Sequence, residues 1–240
     1  MKRFWKDVTV GPQADGGRGI LLDGRPVRTP GRLPLLLPTD ALAALVAEEW
    51  RGVEGDVAPR AMPMTGLANA AVERIPAEHD RFAAGLARYA EDDLLCYRAH
   101  APDALIARQA DAWDPPLAWA LARYDVHFAV TRGIVHVAQP AATIARIAEA
   151  VAAFDAFTLA ALSPVVTITG SIVLALALVE GAMTPAAVWQ AAHVDEDWQT
   201  EHWGEDAAAA AAMAAHRAEF DAAMRFLAAL RPRSNASTGG

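Results

Sequence analysis

Hydrophobic and polar positions change rhythm once along this chain. Up to Leu37 the apolar residues come in short runs separated by turn residues; after Pro38 they recur at helical spacing. Phe4–Val10 alternates loosely, Gly16-Gly17 punctuates, and Asp23-Gly24 separates Ile20-Leu21-Leu22 from Val27. Asp-Gly between apolar runs predicts a hairpin. Leu33–Leu37 is a further short strand candidate. Thr39 then predicts the N-cap of a helix through about Trp50. Helices are expected from about Met62 to Ile75, from Pro76 as first residue to about Glu91, and from Pro102 to about Trp113. The last should end before Pro115-Pro116, with another helix over Leu117–Tyr124. Asp92–Arg98 fits helix or strand. Val126–Val130 and Ile134–Val137 flank Thr131-Arg132-Gly133 and predict a second hairpin. Long helices follow over about Ala141–Leu162, Val165–Glu180, Pro185–Trp203 and Glu205–Leu230, with Thr184-Pro185 as a start signal and Gly204 as a stop.

This pattern predicts an α+β fold, predominantly α: a small N-terminal domain with a β-hairpin over residues 1–60, a larger multihelical domain with one β-hairpin over 61–233, and a disordered tail over 234–240. No internal repeat stands out. The uncharged stretch Ala156–Val179 invites a membrane reading. Ser163-Pro164 interrupts it and leaves too short a run to span a bilayer, so a buried central helix is expected and no stable membrane insertion.

Composition narrows the functional classes. The chain has 240 residues, 54% of them hydrophobic and 21% charged, enough for a sizeable core. Its net charge of -8 disfavours nucleic acid and anionic membranes as partners and suits a basic or hydrophobic one. Lys2 and Lys6 are the only lysines, which argues against Schiff-base and phosphate-loop chemistry. Cys96 is the only cysteine, so no internal disulfide or multi-cysteine zinc site is available. The N-terminal residues lack the apolar core of a secretory signal and the extended basic character of a transit peptide, and a cytoplasmic location is expected.

Searches for catalytic sets fail. There is no phosphate-binding loop, no dinucleotide fingerprint, no G-x-S-x-G elbow and no H-E-x-x-H. His193 and Glu196 are spaced to share a metal, but no second ligand pair stands out. Asp92 and Asp93 are adjacent and point apart on regular structure. They are better suited to capping or to an ion pair with Arg88 or Arg98 than to two-carboxylate chemistry. Leu94-Leu95-Cys96-Tyr97 reads as buried structure around a small apolar residue. No catalytic residue, cofactor or metal is therefore expected.

The most informative segment is Asp195–Asp206, where acids, two tryptophans and a glutamine interrupt alanine-rich sequence. On a helix, Glu196, Gln199 and Trp203 fall at i, i+3 and i+7, within about 60° of one another. A carboxylate, an amide and an indole on one stripe could form a recognition surface. The simpler alternative is a core-edge helix whose tryptophans pack inward and whose acids are solvated.

Several segments together resemble one family: the assembly chaperones of the F-type ATP synthase catalytic sector that act on its α subunit, the type of mitochondrial ATP synthase assembly factor 2. They are Arg3-Phe4-Trp5-Lys6, Leu22–Pro30, Glu49-Trp50, Met62–Asn69, Asp93–Arg98, Trp113-Asp114-Pro115, Thr169-Gly170-Ser171 and the Glu196/Gln199/Trp203-Gly204 segment, in the family's order. The linker Gly52–Pro59, Ala70 and the extra Pro116 depart from the family pattern. The resemblance implies a chaperone, not an enzyme, that binds the unassembled α subunit, shields its subunit interface from aggregation and releases it to the β subunit without hydrolysing nucleotide. It maps the family's functionally important acid onto Glu196, and with it a client-binding set of Glu196, Gln199, Trp203, Trp198 and Glu201. It also implies a monomer when free, a cytoplasmic place in bacteria and the mitochondrial matrix for eukaryotic relatives. Two other classes stay open at this point: an enzyme using Asp93, His193 or Glu196, and a structural helical adaptor.

Overall fold

The computed structural model describes residues 2–13, 16–133, 135–204 and 206–231. The expected tail over 234–240 lies outside them. The elements in chain order are strands β1 (Val8–Pro12), β2 (Arg18–Leu22) and β3 (Arg25–Pro26), then helices α1 (Asp40–Arg51), α2 (Pro63–Asn69), α3 (Ile75–Ala77) and α4 (His79–Ala87). Strand β4 (Tyr97–Arg98), helix α5 (Asp103–Tyr124) and strand β5 (Thr131–Arg132) follow. The remainder is helical: α6 (Ala141–Ala152), α7 (Ala156–Thr169), α8 (Ile172–Val179), α9 (Pro185–Ala192), α10 (Val194–Trp203) and α11 (Ala207–Leu230). The fold is α+β and predominantly α.

Two compact units form within the chain. One contains the residues up to Ala77, Ala156–Ala161 and those from Ala222 on. The other contains Glu78–Asp155 and Leu162–Asp221.

In the first unit, β1, β2 and β3 form an antiparallel sheet in that order. Asp23 and Gly24 turn the β2–β3 hairpin with φ of 47° and 80°. Positive φ at both central residues is what a right-twisted two-residue turn requires. The Asp23 carboxylate accepts the N–H groups of Asp7 at 2.9 Å and Lys6 at 3.0 Å. These two bonds hold it below the usual carboxylate range. Leu33–Leu37 is not a regular strand: it touches the sheet only through isolated bridges, Arg18 with Leu37 and Arg28 with Pro34. Alternate residues Leu35 and Leu37 are nonetheless buried. Helix α1 covers this core with Leu42, Ala43, Val46, Ala47 and Trp50, and Thr39 caps it by accepting the Leu42 N–H.

The Glu49-Trp50 and Met62–Thr65 segments belong together. Glu49 accepts the N–H groups of Met64 at 2.6 Å and Thr65 at 2.7 Å, and the Thr65 hydroxyl at 2.7 Å. It thus serves as the missing cap at the start of α2. Its burial raises its pKa more than these bonds lower it. Pro76 does not begin a helix as expected; it lies in α3, which continues α2 through a π-turn over Ala70–Arg74. There the Ile75 N–H reaches the Ala70 carbonyl, five residues back. The wider turn makes room for a proline ring that would crowd the carbonyl four residues before it.

Among the described residues of the second unit the expected hairpin over 126–137 does not form. Thr131-Arg132 instead pairs in parallel with Tyr97-Arg98. Gln139 takes the place of a strand partner: its amide accepts the Ala129 N–H at 2.8 Å and donates to the Ala129 carbonyl at 3.0 Å. Helix α5 does not end at Trp113 but runs on through Pro115 and Pro116. Prolines inside a helix cost about 3 kcal/mol each, and the flanks supply compensation. Trp113 is buried and donates its indole N–H to the Ala191 carbonyl at 2.6 Å. Arg98 pairs with Asp114 at 2.8 Å.

The helix breaks also fall elsewhere than expected. Pro164 sits inside α7, and the chain breaks instead at Ala153–Asp155 and at Gly170. Gly170 has φ of +63°. Ser171 then caps α8, whose Ile172–Leu178 are all buried. This is the central apolar helix, and among the described residues no helix is long and apolar enough to cross a membrane. We predict that Gly170→Ala destabilises by about 1–2 kcal/mol, because a Cβ in left-handed backbone is strained. A thermal melt would read this as a Tm lower by a few degrees, and an unchanged Tm would contradict it.

Candidate functional site

Helix α10 carries the expected recognition residues, and all its neighbours named below lie in the same unit. Its start is not continuous with α9. His193 breaks the predicted single helix over 185–203, with φ of -118° and ψ of 22°. His193 is buried, its ring stacked on Trp189 at 4.0 Å and its Nδ1 bonded to the Trp189 carbonyl at 2.8 Å. This break sets which faces of α10 turn in and out.

The inward row begins with Val194, which is buried. Asp195 accepts the amide of buried Gln109 at 2.7 Å, and the same Gln109 accepts the Ala99 N–H at 2.7 Å. Glu201 binds Arg108 at 2.7 Å. That pairing holds Glu201 below the usual carboxylate range and raises the Arg108 pKa. Helix α10 is thus bolted to α5 at two levels, Gln109–Asp195 and Arg108–Glu201.

The outward row is Glu196, Gln199 and Trp203, all exposed. Trp203 is 77% exposed, more than any other large hydrophobic residue described. A tryptophan so placed loses the burial that would stabilise it in a core. Glu196 makes no hydrogen bond or ion pair among the described residues. Gly204 ends the helix with φ of 87°, and its N–H bonds the Thr200 carbonyl.

The five residues singled out by sequence therefore separate. Glu196, Gln199 and Trp203 share the exposed stripe. Trp198 is half-buried and stacked on His202 at 4.1 Å. Glu201 is committed to Arg108. The simpler sequence alternative, with both tryptophans packed inward, does not hold for Trp203.

The other motifs that carry the family resemblance have structural work. Asp93 is fully buried. One carboxylate oxygen accepts the Leu95 N–H at 3.1 Å and the other the Val173 N–H at 3.2 Å. It also receives bonds from Ser171 and Ile172. Thr169-Gly170-Ser171 and Asp93-Leu94-Leu95 thus form one joint, closed further by the Leu94 N–H on the Gly170 carbonyl at 3.0 Å. Arg98 donates to the Leu95 carbonyl at 2.9 Å and lies over the Trp113 ring at 5.2 Å. Burial pushes the Cys96 thiol up to about 12, far from a reactive thiolate. Asp93 thus accepts backbone N–H groups and the Ser171 hydroxyl, and His193 engages the Trp189 carbonyl through Nδ1. Among the described residues no group of three or more His, Cys, Asp or Glu could hold a metal ion.

One feature had only an indirect sequence signal. A cleft of about 510 Å3 opens between α5, α9 and α10, walled by Pro115, Pro116, Trp119, Met183 and Val194, with Arg108, Asp111 and Asp197 among its polar lining. Pro115 and Pro116, expected to end a helix, line this cleft from within α5.

Residues 2–121 match the profile of the ATP12 chaperone protein family. The crystal structure of Atp12 from Paracoccus denitrificans is similar with a TM-score of 0.89 and 40% sequence identity, over 96% of this chain and 98% of that one. A mutant of P. denitrificans Atp12p in which an aspartate is replaced by lysine gives a TM-score of 0.90 at 40% identity, with the same coverage. A protein of Agrobacterium tumefaciens described as a candidate chaperone gives a TM-score of 0.90 at 42% identity, over 96% of this chain and 86% of that one. The chain belongs to the ATP12 chaperone family and has the role of an assembly chaperone.

Proposed function

We propose that this protein holds the unassembled α subunit of the F-type ATP synthase, covers an apolar interface of that subunit and yields it to the β subunit. The observation that carries this reading is the outward stripe of α10. An exposed indole beside an unpaired carboxylate and an amide offers apolar area and a charge-assisted hydrogen bond together. An unassembled subunit presents the complementary problem, an exposed apolar interface that promotes aggregation. The client group that fits Glu196 is an arginine. Release follows from competition, because a partner with a better-matched surface lowers the free concentration of client. Nucleotide hydrolysis has no part in this cycle, and the chain acts as a monomer in the cytoplasm.

Size-exclusion chromatography of the purified chain with the isolated α subunit tests the proposal. A complex should form without nucleotide and dissolve when β subunit is added. Failure of the well-folded chain to co-elute with α, or release that requires ATP hydrolysis in place of β, would count against it.

A further inference from the structure

The cleft between α5, α9 and α10 is built for a different contact from the outward stripe. Its chemistry is one-sided. Pro115 and Pro116 have no N–H, so neither can donate to the carbonyls of Asp111 and Ala112 four residues earlier, and all four residues line the cleft. Asp111 and Asp197 add carboxylates, both on exposed residues. Among the described residues Arg108 is the one cation in the lining; Glu201 binds it at 2.7 Å and the Asp197 charge also acts on it. The local balance is therefore negative and rich in acceptors. Trp119 supplies a half-buried aromatic wall, steadied edge-on by Tyr124 at 5.6 Å. Met183 and Val194 supply apolar floor.

Carboxylates and an indole around one cavity are groups that bind a guanidinium: acceptors for its five N–H donors and a π-surface for its plane. We propose that this cleft is a second client subsite that takes an arginine side chain together with its flanking apolar residues. It rests on the reading of the chain as a chaperone of the α subunit, and it adds the chemistry of one client segment. The volume suits one arginine with part of a neighbouring side chain, not a folded element. Val194, Asp197 and Glu201 lie on a different row of α10 from Glu196, Gln199 and Trp203. The client would thus engage two faces of one helix, which restricts its orientation as well as holding it.

Two measurements test this on the full chain. In the first, Asp197→Lys is compared with Ala211→Lys, which makes a lysine substitution on an exposed part of α11, and affinity for the isolated α subunit is read by surface plasmon resonance. Asp197→Lys should weaken binding by about tenfold or more, the size of one charge-assisted contact. Ala211→Lys should leave it near wild type. In the second, a photo-crosslinking benzoylphenylalanine replaces Gln190, an exposed residue of the lining. It should capture an α-subunit peptide that contains an arginine. Wild-type affinity in Asp197→Lys, or a complex that forms without crosslinking at position 190, would overturn the subsite and leave the chaperone reading intact. A captured peptide without arginine would overturn the proposed chemistry. Failure of the wild-type chain to bind the α subunit would remove both.

Discussion

Replacing Asp93 with alanine destabilises the protein by about 3 kcal/mol at pH 5 and by about half as much at pH 7. The loss comes from the joint beside α8. Removing the carboxylate orphans the buried N–H groups of Leu95 and Val173 at once, with those of Ile172 and the Ser171 hydroxyl weakened too. Each buried donor left without a partner costs about 1–3 kcal/mol. The direction with pH follows from burial, which raises the Asp93 pKa from 3.8 to about 6 despite the bonds it accepts. Between those values the folded chain keeps a proton that the unfolded chain has released. This group's contribution to stability is therefore full below about pH 4 and is lost as pH rises through about 6. Alanine has no such proton, so the gap between wild type and variant narrows toward neutrality. Urea denaturation at pH 5 and pH 7 reads both numbers. A gap that widens with rising pH would contradict the buried-acid account.

Charge reversal at Glu196 combined with Trp203→Ala should abolish client binding without disturbing the fold. Both side chains are exposed, and among the described residues the ring contact of Trp203 is a tilted one with the neighbouring His202 at 6.4 Å. The Tm of the double variant should equal that of wild type, since surface substitutions away from caps and networks change stability little. Binding is another matter. An interfacial tryptophan truncated to alanine typically costs about 2 kcal/mol or more, some thirtyfold in affinity. A lysine facing a client arginine adds repulsion to the loss of a charge-assisted bond. The two substitutions sit on one stripe, so their effects should not simply add.

The sequence was most legible where structure is local. Thr39 before a helical period and Asp23-Gly24 between apolar runs each name their geometry within four residues, and both elements form as read. The stripe Glu196/Gln199/Trp203 was legible for the same reason: it needs only a helical period. What failed depended on partners distant in sequence. Gln139 supplies the bonds that a second strand would have given Ala129, so alternating valines around Gly133 did not become a hairpin. Pro115-Pro116 did not stop α5 because Trp113 and Arg98 anchor that stretch to residues elsewhere in the unit. Thr169-Gly170-Ser171 forms a break and a cap, which Asp93 completes from a segment 80 residues away. The bond between Glu201 and Arg108 was not legible, because helical spacing does not show which row of a helix already has a partner.

The decisive experiment is light scattering of the isolated ATP synthase α subunit under conditions where it aggregates, with this protein added at equal molar ratio. The account predicts that wild type suppresses scattering and that Glu196→Lys with Trp203→Ala, folded by circular dichroism, does not. Equal suppression by both proteins would move the client contact off α10. No suppression by wild type would contradict the assignment of the α subunit as its client.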